Sequence, residues 1–146
     1  MTSREADFAL IVDDDPDTLL LVSEIVRLAG FSARASDSLE GALAALSKGP
    51  AVILLDVVMP DELCDRISER LAAQGSMTPV ILMSSAAPAT LESKRRELVQ
   101  KGVNAPVTMA KPFWVDELLS VLAEVLPGDH DAGIDAHAAS ARGGIV

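Results

Sequence analysis

The chain has 146 residues, of which 49% are hydrophobic, and it carries a formal net charge of −10 with a pI of about 4.5. This acidity disfavours direct binding to the phosphate backbone of nucleic acid, and no apolar run is long enough for a membrane span or a signal peptide. The single cysteine, Cys64, excludes an internal disulfide, so we expect a globular protein of a reducing cytoplasm with neither nucleic acid nor membrane as a direct partner.

The first third of the chain predicts two strands and two helices in alternation. Residues 8–12 form a continuous apolar run of strand length. Pro16 suits the first turn of a helix whose apolar residues then recur at helical spacing. A second strand with a weak pattern is predicted over 31–35, and Ser38 is placed to cap the helix that follows it.

The remainder of the chain repeats this alternation. Residues 51–55 are apolar at every position, as expected for a strand that is covered on both faces. The later predicted elements are a helix over 61–74, a strand over 79–83, a mostly polar helix over 90–101, a short strand over 107–110 and an amphipathic helix over 115–126. Five strands alternating with five helices predict an α/β domain with a parallel sheet between two layers of helices.

The sequence divides into three predicted regions. Residues 1–6 are an N-terminal extension, residues 7–126 form the domain, and residues 127–146 form a flexible tail rich in Ala, Gly and Asp. The roughly 20 residues of the tail are too few for a DNA-binding module. We therefore expect a single-domain protein whose output passes through a partner protein.

Polar side chains follow four of the predicted strands. Three aspartates occupy 13–15, Asp56 follows the third strand, Ser84 the fourth and Lys111 the fifth. The carboxyl ends of parallel strands open on one crevice, so we expect these side chains to lie together. Carboxylates there suit Mg²⁺, and a carboxylate beside a metal can attack phosphorus while a lysine offsets phosphoryl charge. The glycines that a dinucleotide or P-loop site needs are missing from the first turn.

These fragments resemble a known family, the receiver domain of bacterial two-component response regulators, over about residues 7 to 126. The matching motifs are IVDDDP at 11–16, LLD at 54–56 with MP at 59–60, PVILMSS at 79–85 and KPF at 111–113. The resemblance implies a flavodoxin-like doubly wound fold with five parallel strands in the order 2-1-3-4-5 and five helices. It also implies a phosphoprotein that receives its phosphoryl group on Asp56 and acts in signal transduction, not metabolic catalysis.

The resemblance further implies the partners and the site. The phosphoryl donor would be a sensor histidine kinase or a histidine phosphotransfer protein, and the signal would pass to a downstream protein that the sequence does not name. The implied site residues are the Mg²⁺ ligands Asp13, Asp14, Asp56 and the backbone carbonyl of Val58, the phosphoryl-binding residues Ser84 and Lys111, and Pro112 after a cis peptide bond. Among the ligands, Asp14 would be more direct than Asp13.

The chain departs from the family pattern at three places. Cys64 stands where the family usually has glycine, in the loop beside the metal site. Thr108 occupies the switch position, where an aromatic ring usually turns inward, so the usual coupling to the distal face is in doubt. The segment over 102–111 is about two residues longer than usual. Val58 and Ala86 occupy positions that tune hydrolysis in the family, and their apolar side chains predict slow self-dephosphorylation.

Two other functions stay open. The altered switch and loop favour a docking module with a receiver fold that acts without phosphorylation. The DPDT sequence at 15–18 superficially resembles a motif of metal-dependent phosphohydrolases, but two aspartates separate it from the strand and a late acidic metal pair is missing. Among the other features, the basic run at 94–96 is either a docking patch or a solvated helix face. Trp114 is predicted to cover the edge of the sheet.

Overall fold

The computed structural model describes residues 7–59 and 63–125. The strands in this part of the chain are β1 (Phe8–Val12), β2 (Ser32–Ser36), β3 (Val52–Asp56), β4 (Val80–Ser84) and β5 (Val107–Ala110). The helices are α1 (Pro16–Leu28), α2 (Leu39–Leu46), α3 (Leu63–Gln74), α4 (Pro88–Gln100) and α5 (Val115–Val125). The strands form one parallel sheet in the order β2-β1-β3-β4-β5, which confirms the predicted flavodoxin-like fold.

Helices cover both faces of the sheet because successive side chains of each strand point to opposite sides. In β1, Phe8, Leu10 and Val12 pack with residues of α2, α3 and α4, whereas Ala9 and Ile11 pack with residues of α1 and α5. Every residue of β1, β3 and β4 is buried, which explains their continuous apolar sequences. No helix in the described ranges is both long and apolar enough to cross a membrane.

Two strands end one residue later than predicted. Asp56 and Ser84 are the last residues of β3 and β4, not the residues after them. Both remain in the parallel ladder, where Asp56 lies beside Met83 and Ser84 lies beside Ala110. Hydrogen bonding between backbones, which does not depend on side-chain polarity, therefore carries these strands past their apolar runs.

Other boundaries also differ from the prediction. β2 begins at Ser32, since the preceding Phe31 is buried against the core instead of joining the ladder. α4 begins at Pro88, two residues before the predicted start, because proline fits the first turn of a helix. The predicted start of α3 at 61, the last residue of α5 at 126, and the predicted extension and tail lie outside the described residues.

The position of β2 at the edge of the sheet explains its weak sequence pattern. Its residues, SARAS, are all exposed or half-buried, and β1 is its one neighbour in the sheet. Helices cover the two faces of this edge strand less completely than those of the inner strands, so it needs no large apolar side chain, and it has none. Its backbone pairing with β1 nevertheless holds over all five residues, from Ser32 beside Phe8 to Ser36 beside Val12.

Candidate functional site

The carboxyl ends of β1, β3, β4 and β5 bring the predicted site residues to one edge of the sheet. Asp13 directly follows β1, Asp56 and Ser84 end β3 and β4, and Lys111 directly follows β5. Backbone hydrogen bonds fix the relative positions of these strand ends. The Lys111 N–H donates to the Ser84 carbonyl at 2.8 Å, and the Val57 N–H donates to the Met83 carbonyl at 3.0 Å.

Three carboxylates meet at this edge. Asp13 and Asp56 are buried and Asp14 is exposed, and a carboxylate oxygen of each lies within 4.8 Å of one from the other two. Mg²⁺ takes oxygen ligands and usually retains several waters, so a set of carboxylates that is open to solvent on one side suits it. The residues present therefore fit a magnesium ion.

The third aspartate of the run has a different task. Asp15 caps α1, because its side chain accepts hydrogen bonds from the Thr18 hydroxyl at 2.8 Å and from the Asp17 N–H at 3.2 Å. These two bonds stabilise the charged form and hold the pKa of the Asp15 carboxyl below its usual value. Asp15 thus belongs to the helix N-terminus, and Asp13 and Asp14 belong to the site.

Lys111 is the cation of the site. Its ammonium group lies 2.5 Å from Asp13 Oδ2 and 3.5 Å from Asp56 Oδ2, with only 15% of the side chain exposed. Burial alone would lower the pKa of Lys111, but the hydrogen bond to Asp13 and the two negative charges outweigh it and raise that pKa. The lysine is therefore a fixed positive charge next to Asp56.

The Asp56 carboxylate is held from two sides. Oδ1 accepts a hydrogen bond from the Val58 N–H at 3.0 Å, and Oδ2 faces Lys111. Burial raises the pKa of Asp56, and the nearby charge of Asp13 adds to the rise, whereas Val58 N–H and Lys111 oppose it. The net shift is upward, so the ionised form of Asp56 is disfavoured here relative to water.

Ser84, at the end of β4, offers a hydroxyl donor at the same strand edge. It is fully buried, and its hydroxyl oxygen accepts a hydrogen bond from the Ala86 N–H at 2.9 Å. In the described part of the chain its hydroxyl proton has no acceptor. It can therefore donate to an oxygen of a bound oxyanion.

Sequence reasoning missed two donors of the backbone. The N–H groups of Val58 and Ala86 each donate to the side chain two residues earlier, which orients Asp56 and Ser84. An aspartate or serine at the end of a strand, followed by irregular chain, is the usual signal for such turns. The Val58 carbonyl stays a predicted metal ligand, and the Val58 side chain is 58% exposed at the site.

Three further predictions concern residues around the site. The Lys111–Pro112 peptide bond is cis, the geometry that the resemblance implies. Thr108 lies half-buried on β5 beside Leu82 of β4, and it has no ring to turn inward. Trp114 is 46% exposed, and its cover of the sheet edge stays a prediction.

The basic run on α4 is paired within the protein. Lys94 contacts Asp65 of α3 at 2.7 Å, and Arg95 and Arg96 contact Glu92 at 2.8 and 3.5 Å. These contacts reduce the positive charge that the helix offers to a partner. They favour the interpretation of the run as a solvated helix face.

A family model decides the identity of this domain. The model described as the response regulator receiver domain matches residues 9–123. The chain belongs to the response regulator receiver domain family. Members of this family are signalling phosphoacceptors that interact with histidine kinases or phosphotransfer proteins. The chain therefore does not belong to the family of metal-dependent phosphohydrolases that its DPDT sequence superficially resembles.

Similar proteins agree with this assignment. The chain is 28% identical over 138 residues to Probable transcriptional regulatory protein TcrX of Mycobacterium tuberculosis, covering 94% of this chain and 57% of TcrX. It is 29% identical over 119 residues to Hybrid signal transduction histidine kinase D of Dictyostelium discoideum, covering 80% of this chain and 7% of the kinase. The chain thus spans a part of each of these curated relatives.

A solved structure shows the same fold. The chemotaxis protein CheY4 of Vibrio cholerae superposes with a TM-score of 0.71 at 24% identity, covering 82% of this chain and 98% of CheY4. At this identity the likeness carries the fold alone. The roles of individual residues in the present chain therefore rest on the site geometry described above.

Proposed function

We propose that the protein is a phosphoacceptor of two-component signalling, in which Asp56 receives a phosphoryl group from a phosphohistidine of a sensor kinase or phosphotransfer protein. The observation that carries this proposal is the buried Asp56 carboxylate, which lies within 4.8 Å of the Asp13 carboxylate and 3.5 Å from the Lys111 ammonium group. The phosphorylated domain would then act in the cytoplasm by binding a downstream protein. Family membership supports the phosphoacceptor role, and the partner is part of the proposal.

The chain's own residues account for the transfer. An Asp56 oxygen attacks phosphorus and the P–N bond breaks, while the imidazole, protonated on its other nitrogen, leaves as a neutral ring with the bonding electron pair. Lys111 and the Ser84 hydroxyl then hold phosphoryl oxygens, since both already lie at this strand edge. Val58 N–H keeps one oxygen of the acceptor carboxylate oriented throughout.

Magnesium fits this chemistry through the acidic residues. Asp13, Asp14, Asp56 and the Val58 carbonyl would hold the ion, and its charge would neutralise the transferring phosphoryl group when it is bound. Without a divalent cation, the three carboxylates repel a phosphate donor, and Lys111 is engaged by Asp13 and Asp56. Labelling should therefore require Mg²⁺.

The test is incubation with acetyl phosphate and Mg²⁺, followed by mapping of the modified residue by mass spectrometry. We expect one phosphoryl group on Asp56, no labelling in EDTA and none in Asp56→Asn. Asp15→Asn is the matched control, because Asn also caps helices and Asp15 belongs to α1 instead of the site. Undiminished labelling of Asp56→Asn would overturn the proposal.

A docking module that acts without phosphorylation is the second candidate, favoured by the missing ring at Thr108. It predicts that a partner captured by the native protein binds Asp56→Asn equally well, with or without acetyl phosphate. The phosphoacceptor proposal predicts binding that depends on the phosphoryl group. Capture of the partner by the native protein and by Asp56→Asn, each measured with and without acetyl phosphate, separates the two.

A further inference from the structure

We propose that a cavity between β2 and α2 binds a small organic anion through Arg34 and Lys48. This site is distinct from the Asp56 site and does not rest on the proposed phosphotransfer. Its ligand would carry a phosphate or carboxylate attached to a small apolar group.

The cavity has a volume of about 450 Å³, within the usual range for small-molecule sites. Its lining combines the apolar residues Leu10, Ala44 and Ala45 with the polar residues Arg34, Ser36 and Lys48. No aspartate or glutamate lines it. An apolar wall with a few convergent polar groups is the usual composition of a ligand site.

The residues of β2 and α2 at this cavity are mostly small or polar. β2 places serine, arginine and serine on the side that faces α2, where a larger apolar set would fill the gap. Gly41 of α2 also lines the cavity, and a Cβ at that position would come within 2.5 Å of the Ser36 hydroxyl oxygen. That hydroxyl is held by two hydrogen bonds to the backbone of Ser38, so it cannot move aside without breaking them.

The two cations lack carboxylate partners. Within the described residues, neither Arg34 nor Lys48 has an acidic group at ion-pair distance, whereas Lys94 and Lys111 each contact two carboxylates. The Arg34 guanidinium lies 4.9 Å from the centroid of the Phe8 ring, a contact that limits its orientations. Both residues are exposed and line the same cavity. In a chain of net charge −10, two cations without carboxylate partners beside apolar lining residues favour an anion with an apolar part.

The experiment is an NMR titration of the full chain carrying Asp56→Asn, in EDTA, so that the phosphoacceptor site cannot react. The probes are phenyl phosphate, benzoate and neutral phenol. We expect phenyl phosphate to bind saturably with a Kd on the order of 1 mM, with shifts confined to β2 and α2. Phenol should bind at least tenfold more weakly, and the ratio of phenyl phosphate to benzoate tells which head group the site prefers.

Matched variants test the charges. Arg34→Gln with Lys48→Gln should weaken phenyl phosphate binding at least tenfold, whereas Arg66→Gln with Arg70→Gln changes the net charge equally on α3 and should alter it less than twofold. Gly41→Val should weaken binding with both cations intact. Equal losses in the two double variants, shifts mapping elsewhere, or no saturable binding below about 10 mM would overturn the proposal. Circular dichroism of each variant checks that it is folded.

Discussion

Replacing the phosphoacceptor by its neutral isostere should stabilise the metal-free fold. In Asp56→Asn the side-chain oxygen can still accept the hydrogen bond from the Val58 N–H, and Lys111 keeps its contact with Asp13. What the substitution removes is one buried negative charge among three carboxylates. The effect therefore reports the cost of that charge.

The structure gives the size of this cost. The Asp13 and Asp56 oxygens lie within 4.8 Å, which at an effective dielectric constant near 20 is a repulsion of roughly 3–4 kcal/mol. Lys111, 3.5 Å from Asp56, offsets it by roughly 4–5 kcal/mol on the same basis. These two contributions nearly cancel. The remaining cost of ionised Asp56 comes from its burial and from the solvent-screened repulsion by Asp14. We expect Asp56→Asn to raise the free energy of unfolding by about 1–2 kcal/mol.

The dependence on pH follows from the raised pKa of Asp56. The Asp56 carboxyl binds its proton more tightly in the folded than in the unfolded state. The loss of stability caused by ionised Asp56 is therefore absent below the unfolded pKa of about 3.9 and complete above the folded pKa. Urea unfolding in EDTA should thus show that Asp56→Asn has a higher free energy of unfolding than the native chain at pH 7, and that this difference shrinks towards pH 4. Asp65→Asn is a control of opposite sign, because the hydrogen bond from Lys94 lowers the pKa of Asp65. A variant no more stable than the native chain at pH 7 would refute this reasoning.

Three other predictions concern single contacts. A double-mutant cycle between Lys94 and Asp65 should give a coupling free energy of about 0.5–1 kcal/mol. This coupling should be present above pH 4 and lost as the pH falls through the lowered pKa of Asp65. A coupling that does not change on acidification would contradict the prediction. Burial raises the pKa of Cys64 to about 11, which lowers the fraction of reactive thiolate at pH 8. Ellman's reagent should therefore react at least tenfold more slowly with native than with unfolded protein, since each pKa unit changes that fraction about tenfold. Val58→Asn should speed decay of the phosphorylated form roughly tenfold, a barrier change of about 1.4 kcal/mol, because a polar group at this exposed position can orient water; equal decay rates would count against this.

The sequence predicts much of the sheet and the site because both depend on residue type. The apolar runs of β1, β3 and β4 follow from burial on both faces, and polar residues at their ends mark the crevice. Residue type alone does not distinguish three adjacent aspartates, however. The resemblance assigns the first two to the metal, and the structure shows why the third differs: Asp15 accepts a hydrogen bond from Thr18 at the start of α1. The cavity beside β2 was not predicted, because it depends on how β2 and α2 pack together and not on a sequence motif.

The ion pair between Lys111 and Asp13 joins residues that are 98 positions apart in the chain. During synthesis on the ribosome, β1, β3 and β4 emerge before the lysine does. A nascent chain that ends before residue 111 therefore contains Asp13 and Asp56 but lacks the lysine that contacts both of them in the folded domain. The strand edge therefore gains this cation only once residue 111 has been synthesised, and until then cations from the surrounding solution are the ones available to offset the charge of Asp13 and Asp56.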